Sequence, residues 1–133
     1  MSQKPAVLVI DDDADLVSSV TMVMQDAGWE VRSAQNGALG IERAREQTPD
    51  LIILDVLMPQ QDGLTTYEQL RGDASLADVP IIVLTSVSER LGIGFSNQDF
   101  KAYYGHSPEA FLEKPFEPDT LLATVKRVHK TPA

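Results

Sequence analysis

Short, wholly apolar runs alternate along this chain with longer segments whose apolar residues recur at helical spacing. Ala6, Val7, Leu8, Val9 and Ile10 form a continuous run that stops at Asp11, Asp12 and Asp13, the pattern of a strand covered on both faces. Leu16, Val20, Val23, Met24 and Ala27 then repeat every three or four residues, with acids at the start and Gly28 at the C-cap, which predicts a first helix. Residues 29–34 alternate as a strand, Asn36 and Gly37 open a helix carrying Leu39, Ile41 and Ala44, and Thr48, Pro49 and Asp50 end it. A second apolar run, Leu51, Ile52, Ile53 and Leu54, is closed by Asp55. After Gly63 a short helical stretch carries Leu64, Tyr67 and Leu70; residues 72–80 read as a loop and residues 81–84 as a strand. Residues 110–113 read as a fifth strand, and residues 118–128 as a final helix with Leu121, Leu122, Val125 and Val128 on one stripe and Pro118 near its start. Strict alternation of strand and helix predicts an α/β fold with a doubly wound, five-stranded parallel sheet and right-handed crossovers.

The periodicity breaks at residues 86–108, which hold Gly92, Gly94 and Gly105, a polar patch at Ser96, Asn97, Gln98 and Asp99, and the aromatics Phe95, Phe100, Tyr103 and Tyr104. No clean amphipathic helix shows there. With 133 residues the chain fits one domain, with a core over about residues 6–128, short tails and enough apolar content to fold without disulfides. Cysteine is absent, which excludes thiolate metal sites. No apolar stretch approaches a membrane span and the N-terminus does not read as a signal peptide, so a soluble cytoplasmic protein is expected. The formal charge of -9 argues against non-specific nucleic-acid binding, which rests on Lys and Arg neutralising phosphates. His106 and His129 lack metal-ligand spacing and read as surface histidines; Lys126, Arg127 and Lys130 suit the end of the last helix.

The chemistry gathers where apolar runs end: at Asp11, Asp12 and Asp13, at Asp55, at Thr85 and Ser86, and at Lys114 and Pro115. In a parallel sheet these ends share one edge, where open α/β folds carry their sites. Acids, a hydroxyl and a lysine together suit the handling of a phosphoryl group with a divalent metal. Helix capping explains Asp13 better than ligation does, but explains three successive acids poorly. Pro59, Gly63 and Pro115 read as backbone devices: a turn, a positive-φ position and a cis Lys114–Pro115 bond.

The succession Ile10-Asp11-Asp12, then Asp55 with Met58-Pro59 and Asp62-Gly63, then Thr85-Ser86, then Lys114-Pro115-Phe116 resembles the receiver domain of two-component response regulators, over roughly residues 7–128. The resemblance implies a flavodoxin-like receiver fold in which Asp55 is the phosphoacceptor, taking its phosphoryl group from a sensor histidine kinase or a histidine phosphotransfer protein. It implies Mg²⁺ or Mn²⁺ held by Asp12, Asp55, the backbone carbonyl of Leu57 and a water on Asp11. Thr85 and Lys114 would hold phosphoryl oxygens, and Thr85 and Phe111 would form the switch. Phe111 has no hydroxyl, so a readout through its rotamer must work by packing.

Receivers carry their fourth helix where the periodicity breaks, so that helix is expected to be shortened, displaced or replaced by irregular structure. The aromatics of residues 95–104 then either cover the core or form a binding surface. The expected role is a signalling domain rather than an enzyme, a stand-alone regulator without an attached output domain. It would act through a downstream protein, with no nucleic-acid or membrane partner, as a monomer or a phosphorylation-dependent dimer. Two other readings compete: a receiver-fold scaffold indifferent to phosphorylation, and a phosphohydrolase of the haloacid dehalogenase type, which Asp11, Asp12 and Asp13 match loosely while leaving Asp55 unexplained.

Overall fold

The computed structural model describes residues 4–55, 62–86, 109–114 and 116–129, and for residues 62–64 and 85–86 the backbone alone. Along them run β1 (Ala6–Ile10), α1 (Ala14–Asp26), β2 (Glu30–Ala34), α2 (Gly37–Glu46), β3 (Leu51–Asp55), α3 (Asp62–Gly72), β4 (Ile81–Ser86), β5 (Ala110–Lys114) and α4 (Pro118–Val128). The strands lie in the order β2-β1-β3-β4-β5, every pair parallel. This is the doubly wound, flavodoxin-like arrangement. No described helix is long and apolar enough to cross a membrane.

Full burial of β1 and β3 follows from helices on both faces, and alternation along each strand divides the core in two. Leu8, Ile10, Ile52, Leu54, Ile81 and Val83 pack with Ile41 and Ala44 of α2 and Tyr67 and Leu70 of α3. Val7, Val9, Leu51, Ile53, Ile82 and Leu84 pack with Val20 and Met24 of α1 and Leu121 and Val125 of α4.

Helix ends use the capping chemistry that the sequence suggests. Asp13 is the N-cap of α1, its Oδ1 accepting from the backbone N–H of Asp15 (3.0 Å) and Leu16 (3.2 Å), and Asn36 caps α2 through the N–H of Leu39 (2.9 Å). At the C-terminus of α1 the cap residue is Ala27, one earlier than expected, and Gly28 follows it with φ of 98°. That left-handed residue lets Gly28 N–H reach Gln25 O (3.0 Å) and Trp29 N–H reach Met24 O (2.9 Å), a Schellman motif that buries Trp29 beside Met24.

Other expectations need correction. Gly63, expected at a positive-φ turn, lies inside the first turn of α3, because the helix starts at Asp62. The loop expected over residues 72–80 starts one residue later, since Gly72 closes α3, and its turns bury Leu76 and Val79 in the α2–α3 side of the core. β4 runs through Thr85 and Ser86, beyond its apolar residues. His129 is half-buried rather than a surface residue, its ring edge-on to Trp29 with centroids 4.9 Å apart. The cis bond expected before Pro115, the replaced fourth helix and the aromatics of residues 95–104 lie outside the described residues.

Gly40 brings α2 against β1: a Cβ added there would stand 2.5 Å from Ile10 Cδ1 and 2.8 Å from Cγ1, whereas one at Gly72 would meet nothing within 4 Å. Overpacking a core costs about 1–3 kcal/mol, against a helix-propensity gain of about 1 kcal/mol for Gly to Ala. Gly40→Ala is therefore expected to lower unfolding free energy by about 1 kcal/mol, and Gly72→Ala to leave it unchanged or slightly raised. Urea denaturation of both variants checks this; a gain in Gly40→Ala would contradict the close approach.

Candidate functional site

The order of the strands reverses at β1, which has β2 on one side and β3 on the other. Ligand sites of open α/β sheets form at such a point, outside the carboxyl ends of the strands. Ile10 pairs with Leu54, so the next residue on each strand, Asp11 and Asp55, stand side by side. Alternation also decides their direction. Asp11 continues the face of Val7 and Val9, Asp55 that of Leu51 and Ile53, and Lys114 that of Ala110 and Leu112, all belonging to the α1–α4 side of the core. Three polar side chains in step with three apolar rows therefore meet where those rows run out.

Lys114 Nζ donates to Asp55 Oδ2 at 3.1 Å and to Asp11 Oδ2 at 3.2 Å, bridging the two strand ends from β5. Asp11 Oδ1 accepts the backbone N–H of Asp13 at 2.9 Å, which fixes the carboxylate at the entry to α1. Asp11 and Asp55 are buried and Asp12 is exposed. One carboxylate oxygen from each of Asp11, Asp12 and Asp55 lies within 4.8 Å of the others, a group able to hold a metal ion. Donors that are all oxygen suit a hard divalent cation rather than a soft one. Beside the acids a cleft of about 350 Å³ opens between α1 and α2, lined by Asp11, Asp12, Ser18, Ser33, Gln35 and Arg43 among others.

Burial dominates the electrostatics. It pushes the Asp11 carboxyl up to about 6, helped by the negative charge of Asp55 and opposed by the Asp13 N–H and by Lys114. Burial also works against the charge of Lys114, but the carboxylates of Asp55 and Asp11 outweigh it and hold that ammonium above its ordinary value. One ammonium is thus shared among acids that outnumber it.

The structure brings together Asp11, Asp12, Asp55 and Lys114 from the expected set. Thr85 belongs to the carboxyl end of β4, beside the Asp55–Leu84 pair, with its backbone alone described. Leu57 lies outside the described residues. Phe111 is half-buried and packs against the α2–α3 side of the core. Sequence reasoning missed Arg71 and Glu109, whose ion pair (Nη2 to Oε1, 2.6 Å) spans 38 residues and leaves no local signal.

The family model for the response regulator receiver domain matches residues 7–126. RpaA of Synechocystis, described as a DNA-binding dual master transcriptional regulator, is 34% identical over 92% of this chain. This chain spans about half the length of RpaA (48%), but 95% of the protein PilH of Pseudomonas aeruginosa, which is 29% identical over 92% of this chain. The chemotaxis response regulator CheY4 of Vibrio cholerae superposes with a TM-score of 0.80 at 32% identity, covering 94% of this chain and 98% of that one.

A carboxyl whose folded pKa lies above its ordinary value binds its proton longer in the native than in the unfolded state, so stability falls as pH rises through that interval. For Asp11 the interval runs from 3.8 to about 6. In metal-free buffer, Asp11→Asn is therefore expected to gain stability relative to the parent between pH 4 and pH 7, by roughly 1–3 kcal/mol. Urea denaturation at both pH values checks this, and a difference independent of pH would contradict the assignment.

Proposed function

The chain belongs to the response regulator receiver family, and on that premise we propose that Asp55 accepts a phosphoryl group from a phosphohistidine on a sensor histidine kinase or a histidine phosphotransfer protein. A bond forms from an Asp55 carboxylate oxygen to phosphorus as the phosphorus–nitrogen bond of the donor breaks, its electron pair returning to the imidazole. The observation that carries this reading is the bridge of Lys114 Nζ to Asp55 (3.1 Å) and Asp11 (3.2 Å), which sets a cation beside the carboxylate that would react. A carboxylate is a weak nucleophile towards an anionic group, so alignment and charge neutralisation must supply the rate.

Mg²⁺ or Mn²⁺, held by Asp12, Asp55, the Leu57 carbonyl and a water on Asp11, would supply the charge that lets the two anions approach. Lys114 turns its ammonium from the carboxylates to a phosphoryl oxygen, acting as a compact point charge. Thr85 offers a hydroxyl to another oxygen. The aspartyl phosphate then biases an equilibrium read by Thr85 and by the packing of Phe111, and the altered face is presented to a downstream protein in the cytoplasm. The charge of -9 favours a protein over a nucleic acid as that partner.

The test is intact-mass analysis after incubation with phosphoramidate. The parent is expected to gain one phosphoryl group only with Mg²⁺, Asp55→Asn none, and Lys114→Ala the same group at least about tenfold more slowly, since removing one donor to a developing anion costs roughly 10²–10³ in rate. Equal labelling of Asp55→Asn, or no labelling of the parent with metal present, would overturn the proposal.

A further inference from the structure

Lys114 reaches the acids from β5, an edge strand with β4 as its hydrogen-bonded neighbour, so the register of one ladder decides where its ammonium stands. A slip by one residue would turn Ala110 and Leu112 from the core to the opposite face, and burial alone forbids it. A slip by two keeps every residue on its face yet moves Lys114 by about 7 Å along the strand, out of reach of Asp55. Something must exclude that second register.

The opposite end of β5 carries the means. Glu109, the residue before the strand, donates its backbone N–H to Ile81 O (3.0 Å), and its Oε1 accepts the backbone N–H of Ile81 (2.7 Å). The same Oε1 accepts from Arg71 Nη2 at 2.6 Å. Arg71 is itself anchored: Nη1 donates to Ala77 O (3.1 Å) and Val79 O (3.0 Å), and the guanidinium lies 5.5 Å from the centre of the Tyr67 ring. Its side chain is 6% exposed while that of Glu109 is 41% exposed, so the pair joins a buried guanidinium to a carboxylate at the surface. One buried cation thereby ties the end of α3, the turns of residues 73–80, the first residue of β4 and the residue before β5. A two-residue slip would take Glu109 away from both Ile81 and Arg71.

We propose that Arg71 and Glu109 are positioning residues for Lys114, a register clamp whose Glu109 lies five residues, about 17 Å along the strand, from Lys114. This rests on the reading of Lys114 given above. The clamp acts along the strand rather than through space, so its removal should degrade chemistry that depends on Lys114 and spare chemistry that does not.

The experiment is a double-mutant cycle on the initial rate of phosphoryl uptake from phosphoramidate with saturating Mg²⁺, under conditions where denaturation curves show every variant folded. Glu109→Ala is expected to slow uptake about tenfold, since a misplacement of about 1 Å can cost up to 10²-fold. Glu109→Gln, which keeps an acceptor for Ile81 and Arg71, is expected to restore most of the rate. In a Lys114→Ala background Glu109→Ala is expected to have no further effect, because the two substitutions remove the same interaction. Equal slowing with and without Lys114, or slowing that Glu109→Gln fails to relieve, would overturn the clamp. If Glu109→Ala does not fold, Arg71→Met, which leaves the Glu109–Ile81 bond in place, takes its place in the cycle with the same expected dependence on Lys114. A parent chain that takes no phosphoryl group would instead remove the reading of the site; a parent that does, beside an unimpaired Glu109→Ala, removes only the clamp.

Discussion

The single ammonium of Lys114, set between the buried carboxylates of Asp11 and Asp55, is the interaction on which the site depends. Burial of Asp11 and the negative charge of Asp55 beside it both favour the protonated form of Asp11. The lifted value of Asp11 expresses that stress directly. Lys114 relieves it in part, at the far end of a strand that must hold its register to keep it there. The fold around the site can be read as the set of constraints that keep these three side chains in place: apolar rows that end together, caps at the entry to α1, and a glycine at position 40 that lets α2 close on Ile10.

Such an arrangement is a poor way to gain stability. Breaking a buried pair by removing one partner is costly, whereas replacing the whole set with apolar residues is often neutral or better. A group of acids that a hard cation would satisfy, sharing one lysine, is therefore better explained by a functional site than by folding. The cleft between α1 and α2 has Asp11 and Asp12 on its wall, so the group of acids opens to solvent on that side.

Much of this was legible in the chain because it was written locally. β1 and β3 announced themselves as unbroken apolar runs, α1 by its periodicity and by Asp13, and the acids of the site by their position after those runs. A parallel sheet puts Asp11 and Asp55 at one edge, and the β1–β3 pairing sets them side by side. What escaped was non-local or hidden by composition. Leu76 and Val79 sit among polar and small residues, so their burial under the α2–α3 layer depends on turns that hydrogen bonding completes. Arg71 reads as an ordinary basic residue at a helix end, and its partner Glu109 comes 38 positions later. His129 looked like a surface residue because the ring it meets, Trp29, lies a hundred residues earlier in the chain.

If Lys114 is to turn to an incoming phosphoryl oxygen, its hold on Asp11 and Asp55 must be one that a metal cation can compete with. A calorimetric titration of Mg²⁺ into the parent chain and into Lys114→Ala, at neutral pH and without any phosphoryl donor, tests it most directly. Removing a positive charge about 3 Å from two carboxylates should strengthen metal binding several-fold, the reverse of its effect on phosphoryl uptake. Binding that is unchanged or weaker in Lys114→Ala would mean that the lysine does not compete with a cation for these oxygens, and would contradict the account.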